Sequence, residues 1–142
     1  MTELSEKADR GLKVIGNMMG PKFEATLRET ASSGQFGSVV SRMSTEFAFA
    51  DAWGREGLSN REKSLIVISI LIALRQPAEL RNHIKIGVAN GLTIEDVENI
   101  LIQATPYVGF PASATASTAA IEALREIGKD PNVKTSEERG LL

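Results

Sequence analysis

Ser59-Asn60-Arg61-Glu62-Lys63-Ser64-Leu65-Ile66-Val67-Ile68-Ser69-Ile70-Leu71-Ile72-Ala73-Leu74-Arg75-Gln76-Pro77-Ala78-Glu79-Leu80-Arg81-Asn82-His83 is the stretch that decides the fold. Ser59 with Glu62 three residues later has the form of a capping box, so a helix begins at Asn60 or Arg61. Past its first turn that helix is apolar on all sides, which in a soluble protein means that other helices or a partner subunit surround it. The apolar run, residues 65–74, is about half the roughly 20 residues that a membrane span needs, so it reads as a buried helix. Pro77 suits the first turn of the next helix, where its missing N–H costs nothing. Glu79 and His83, four residues apart, then share one face of it.

The flanking sequence carries the same 3.6-residue signature. Upstream, Leu4, Ala8, Leu12 and Ile15 mark a peripheral helix over residues 2–19, stopped by Gly20-Pro21. A short amphipathic segment over 22–30 and a Ser32-Ser33-Gly34 turn follow. Phe36, Val39, Val40, Met43, Phe47 and Ala50 recur at steps of three and four, predicting a helix over 36–53 with one apolar face. Downstream, the Glu79/His83 helix runs through Ile84, Ile86 and Val88 to Asn90-Gly91, a C-terminal signal. Thr93 and Asp96 form another N-cap, opening a helix that is expected to stop before Pro106. Residues 107–111 read as a loop, 112–127 as a last helix dense in alanine, and 129–142 as a polar tail loose at its end. No sustained period-2 pattern occurs, so the expectation is an all-α chain folded as a single domain over 1–142, with 1–35 as peripheral helices.

Composition removes several kinds of chemistry. The 142 residues include no cysteine, which excludes thiol catalysis, thiolate metal ligation and disulfides together. Sixteen basic against eighteen acidic residues give a net charge of -2 without a dense basic cluster. That is not the footprint of a nucleic-acid binder. The polar, acidic start lacks the layout of a signal peptide, so the cytoplasm is the expected location and no membrane partner is expected. One histidine with scattered carboxylates does not make a transition-metal site.

His83 is the only histidine. Imidazole is the side chain whose ordinary pKa lets it give or take a proton near neutrality, and a neighbouring carboxylate raises that value and orients the ring. The pair is therefore a candidate acid/base unit, beside the plainer reading of a structural i,i+4 contact.

The ordered series Phe47-Ala-Phe-Ala-Asp51-Ala-Trp53, Gly57-Leu58-Ser59, Glu79-Leu80-x-x-His83, Gly91-Leu92-Thr93-x-Glu95-Asp96 and Tyr107-x-Gly109-x-Pro111 resembles the carboxymuconolactone decarboxylase family over residues 36–125. The resemblance implies an alkylhydroperoxidase D-like helical bundle that assembles as a homo-oligomer, a trimer or hexamer, with pockets near subunit contacts. The family's peroxidase branch uses Cys-x-x-Cys-x-x-x-His. Here the matching positions are Gln76, Glu79 and His83, and its relay glutamate falls at about Ser64. A carboxamide and a carboxylate cannot cycle between dithiol and disulfide, so that branch is excluded.

The decarboxylase branch implies cofactor-free loss of carbon dioxide from 4-carboxymuconolactone, in protocatechuate breakdown, with the unsaturated lactone as electron sink. On that reading His83 delivers a proton to carbon, oriented and kept partly protonated by Glu79. Arg81 and Arg61 are candidates to grip substrate carboxylates, although helical arginines are more often solvated or paired. Trp53, Phe47 and Tyr107 are candidate pocket walls, Tyr107 also a hydroxyl donor to an oxyanion, and Glu46 a candidate lining residue. Core packing and solvent exposure are the plainer readings of these four. Lactone isomerisation or ring opening needs much the same pair, and a non-catalytic helical oligomer binding a small acid is the remaining alternative.

Overall fold

Glycine and proline set the punctuation of the N-terminal part in a computed structural model, which describes residues 1–141. Ser5 caps α1 (Glu6–Met19) by accepting from the Ala8 N–H at 3.0 Å. Gly20, at φ 91°, breaks the helix, and Pro21 opens α2 (Pro21–Ser32). After Gly37, at φ 87°, α3 (Ser38–Met43) passes directly into a π-helical stretch over Ser44–Trp53. Its wider turn shows at the end, where the Gly54 N–H reaches back five residues to the Phe49 carbonyl at 2.8 Å. α1 lies on this stretch backbone to backbone: a Cβ on Gly11 would sit 1.8 Å from the Thr45 carbonyl oxygen, so only glycine fits.

Backbone contacts gather the chain into two units, Met1–Ser59 and a second beginning at Asn60. In the second, α4 (Asn60–Ala73) and α5 (Pro77–Ala89) are joined by a tight reversal at Arg75, which takes the left-handed φ of 55°. The Arg75 and Gln76 N–H groups cap the α4 carbonyls of Ile72 and Leu71, both at 3.1 Å. α6 (Ile94–Val108) opens with the expected reciprocal box: Asp96 N–H to Thr93 Oγ1 at 3.0 Å, and Thr93 N–H to the Asp96 carboxylate at 2.9 Å. Ile68, Ile72, Leu80, Ile84, Val97, Ile100 and Leu124 form the core with Ala116, Ala119, Ala120 and Ala123 of α7 (Phe110–Glu126). The alanines let α7 approach closely, and Gly87 leaves room for Leu92 and Ile68, whose Cδ1 atoms lie 2.7 and 3.1 Å from where a Cβ would be. Among the described residues every regular element is helical, and none is long and apolar enough to cross a membrane.

The structure departs from the sequence expectation at Pro106. α6 does not stop before it but continues to Val108, and the expected loop over 107–111 reduces to Gly109 at φ 88°. Proline's fixed φ suits a helix; what it loses is one N–H near the C-terminus. The Gly109 N–H still bonds the Thr105 carbonyl at 3.0 Å, so the last turn closes. The polar tail is held against α7: Arg125 donates to the Glu138 carboxylate at 2.8 and 3.0 Å and to the Val133 carbonyl at 2.7 Å.

Candidate functional site

α5 positions Glu79 and His83 through its other face. Leu80, Ile84 and Gly87 turn into the core, which fixes the helix rotation and leaves Glu79 and His83 on the adjoining side. Glu79 is exposed and His83 half-buried, with its Nδ1 shielded from solvent. Burial lowers the His83 pKa from its ordinary 6.5, and the charge of Glu79 opposes this without overcoming it. This corrects the expectation that Glu79 keeps the ring partly protonated: desolvation of the imidazolium outweighs an exposed carboxylate whose field water screens. The resting imidazole is neutral at pH 7.

Arg81 does not join this pair. Two residues from Glu79, it points nearly the opposite way round the helix and donates to Glu122 of α7 at 2.8 Å, which raises its pKa further. Lys85, one turn on, pairs with Glu126 in the same way. Arg61 is also engaged, 2.8 Å from Asp96, the N-terminal box residue of α6. Tyr107 is exposed and lies with Arg61 along a groove of about 600 Å³ between α4 and α6, floored by Leu65, Ile100 and Ala104. No residue of α5 lines that groove. Asn99 and Gln103 also line it, and sequence reading passed over them; with Tyr107 they stand at steps of four, a polar ladder on one face of α6.

Ser64 is fully buried on α4, donating to the Asn60 carbonyl at 2.9 Å and accepting from Asn90 Nδ2 at 3.0 Å. It ties the start of α4 to the end of α5. A hydroxyl there holds helices together but has no acid/base range near neutrality.

The remaining candidates belong to the N-terminal unit. Trp53 is buried at the end of the π-helical stretch. Glu46 accepts from the Ser5 hydroxyl at 2.5 Å, tying the start of α1 to that stretch. Phe47 is half-exposed, with Lys7 Nζ 4.6 Å from its ring centre. Among the described residues no three His, Asp or Glu side chains gather as metal ligands.

An all-helical chain whose only imidazole sits one turn beyond a glutamate on a cysteine-free helix matches the Carboxymuconolactone decarboxylase family over residues 40–122, more than half its length. The chain belongs to that family, and its architecture is the alkylhydroperoxidase D-like one that the resemblance implied. Among its relatives is a 4-carboxymuconolactone decarboxylase of Acinetobacter baylyi, 29% identical over 126 residues that cover 89% of this chain and 92% of the relative. A nitrosuccinic acid decarboxylase of Metarhizium robertsii is 26% identical over 108 residues, 76% of this chain and 74% of that one.

Proposed function

We propose that this chain is a cofactor-independent decarboxylase of small, activated dicarboxylic acids of the 4-carboxymuconolactone type, working as a homo-oligomer in the cytoplasm. The observation that carries the reading is the half-buried His83 beside Glu79 on α5, inside the family-matched region of a chain without thiols. The relatives' names support the substrate class. Nitrosuccinic acid and 4-carboxymuconolactone both bear two carboxyl groups, and in each a group on or conjugated to the leaving carbon, nitro or unsaturated lactone, can accept the electron pair left by carbon dioxide. The substrate supplies its own electron sink.

The proton balance then assigns the roles. Loss of carbon dioxide from a carboxylate leaves a carbanion equivalent that takes up one proton. His83 is neutral at rest, so it must collect that proton from solvent as the substrate binds; the substrate's negative charges favour the imidazolium, and Glu79 adds to them. His83 then delivers the proton to carbon and returns to neutral. Such a transfer contributes on the order of 10²- to 10⁴-fold. Glu79 is a positioning residue that sets how readily His83 holds its proton.

Carbon dioxide release from nitrosuccinate and from 4-carboxymuconolactone, measured on metal-free protein, tests the reading. Release from either at rates well above the uncatalysed reaction supports it. Conversion of the lactone without carbon dioxide would replace it with isomerisation or ring opening.

A further inference from the structure

α4 and α5 form a helical hairpin whose two ends are closed differently. At the turn end the chain itself joins them, with the Arg75 and Gln76 N–H groups 3.1 Å from the α4 carbonyls of Ile72 and Leu71. At the open end a side-chain bond joins them: Asn90 Nδ2 donates to Ser64 Oγ at 3.0 Å, and that hydroxyl donates to the Asn60 carbonyl at 2.9 Å. Ser64 is 1% exposed, so water does not compete for its oxygen. One turn inward along α4, Ile68 fills the space opposite Gly87, its Cδ1 3.1 Å from where a glycine Cβ would be. His83, Gly87 and Asn90 follow one another at steps of four and three, so they share one line along α5. The last two meet α4, and His83 is the next position along that line towards the turn.

We propose that the hydrogen bond from Asn90 to Ser64 is a latch that positions the His83 imidazole. It rests on the decarboxylase reading above only in giving that imidazole its task. Apolar contacts such as Ile68 with Gly87 hold the helices together but have no direction, whereas a hydrogen bond weakens steeply as its angle is lost. The latch therefore sets how far α5 splays from α4 about the turn at Arg75. α5 carries that setting to His83 over about two helical turns. Ser64 and Asn90 are thus positioning residues, acting through His83. The elements packed on α5 bring few charges to the ring. α4 has none between Lys63 and Arg75, and on α7 Glu122 and Glu126 are paired with Arg81 and Lys85. Burial lowers the His83 pKa and Glu79 is the charge that raises it, so the titration of the ring reports how well it is held out of water.

The single histidine gives a single imidazole Cε1 proton resonance, and its pH titration by NMR needs no substrate. In Ser64→Ala, which takes that acceptor from the Asn90 amide, the titration should move up towards the ordinary 6.5. Its kcat for 4-carboxymuconolactone should fall about tenfold, with KM within about twofold. Ser64→Thr keeps the hydroxyl and should leave both as in wild type. Ala120→Gly, on the side of α7 towards α6, weakens a helix away from the latch and should move neither. An unshifted resonance in folded Ser64→Ala overturns the latch, as does an equal shift in Ser64→Thr or Ala120→Gly. A shifted resonance with unchanged kcat overturns it too. If Ser64→Ala does not fold, Asn90→Ala removes the donor at the half-buried end of the bond and is read by the same criteria. A wild type without turnover would remove the decarboxylase reading and leave the latch to be decided by the titration.

Discussion

Mild acid should destabilise this protein through one residue. His83 is its only histidine, and burial lowers its pKa from 6.5 by more than Glu79 restores. The unfolded chain, with an ordinary imidazole, binds a proton at a higher pH than the folded one. Stability is therefore full above about pH 7, falls as the pH drops through 6.5, and stops falling once the folded imidazole also protonates. A single proton limits the slope to about 1.4 kcal/mol per pH unit. With a denaturant dependence of about 1–3 kcal/mol/M, the urea midpoint moves by up to roughly 0.5–1.4 M per unit. Urea unfolding followed by circular dichroism at pH 7.5, 6.5 and 5.5 reads this directly, because ordinary carboxylates titrate nearer 4. His83→Gln should flatten the dependence. A wild-type midpoint that stays level or rises on acidification, or an equal slope in His83→Gln, refutes the neutral buried imidazole.

Other consequences are more local. Arg81→Ala should leave decarboxylation within about threefold of wild type, because the guanidinium serves Glu122 on α7; a loss of 10²-fold or more would return Arg81 to the substrate. Leu80→Ala empties a fully buried core position and should cost about 2–5 kcal/mol by urea unfolding; a cost below about 1 kcal/mol would mean that the α5 core face is misplaced. Glu138, held by Arg125 and the Thr135 N–H, has its pKa lowered from 4.5 to about 2. The tail clasp should accordingly weaken only as the pH falls below 4.5 towards 2, whereas Glu138→Gln should expose the tail to protease already at pH 7. Equal cleavage of the two proteins at pH 7 would contradict the clasp.

Local chemistry was legible in the sequence wherever it acts over a few residues. Gly20-Pro21, the Thr93/Asp96 box, Pro77 and Asn90-Gly91 each mark a helix end by what the backbone can or cannot do there, and the structure puts ends at or beside those places. Pro106 misled because the rule against a helix before proline is a local preference, and this close to the end of α6 proline removes one N–H while the Gly109 N–H still closes the last turn. The stripe from Phe36 to Phe47 was readable as a period but not as a direction, since period says which residues share a face and not whether that face is covered. The site shows the same division. Spacing placed Glu79 and His83 on one side of α5. The partner of Arg81, Glu122, lies 41 residues away and could not be read from spacing. The sign of the His83 shift was missed because the carboxylate beside it is visible in the sequence, whereas the burial that opposes it is made by the fold.

Turnover of 4-carboxymuconolactone by wild type and His83→Gln, followed as carbon dioxide release and loss of the unsaturated-lactone absorbance, bears most directly on the central claim. Wild type should turn the lactone over without added metal, and His83→Gln should lower kcat by about 10²- to 10⁴-fold with assembly and helicity unchanged. Full turnover by a folded His83→Gln protein would contradict it.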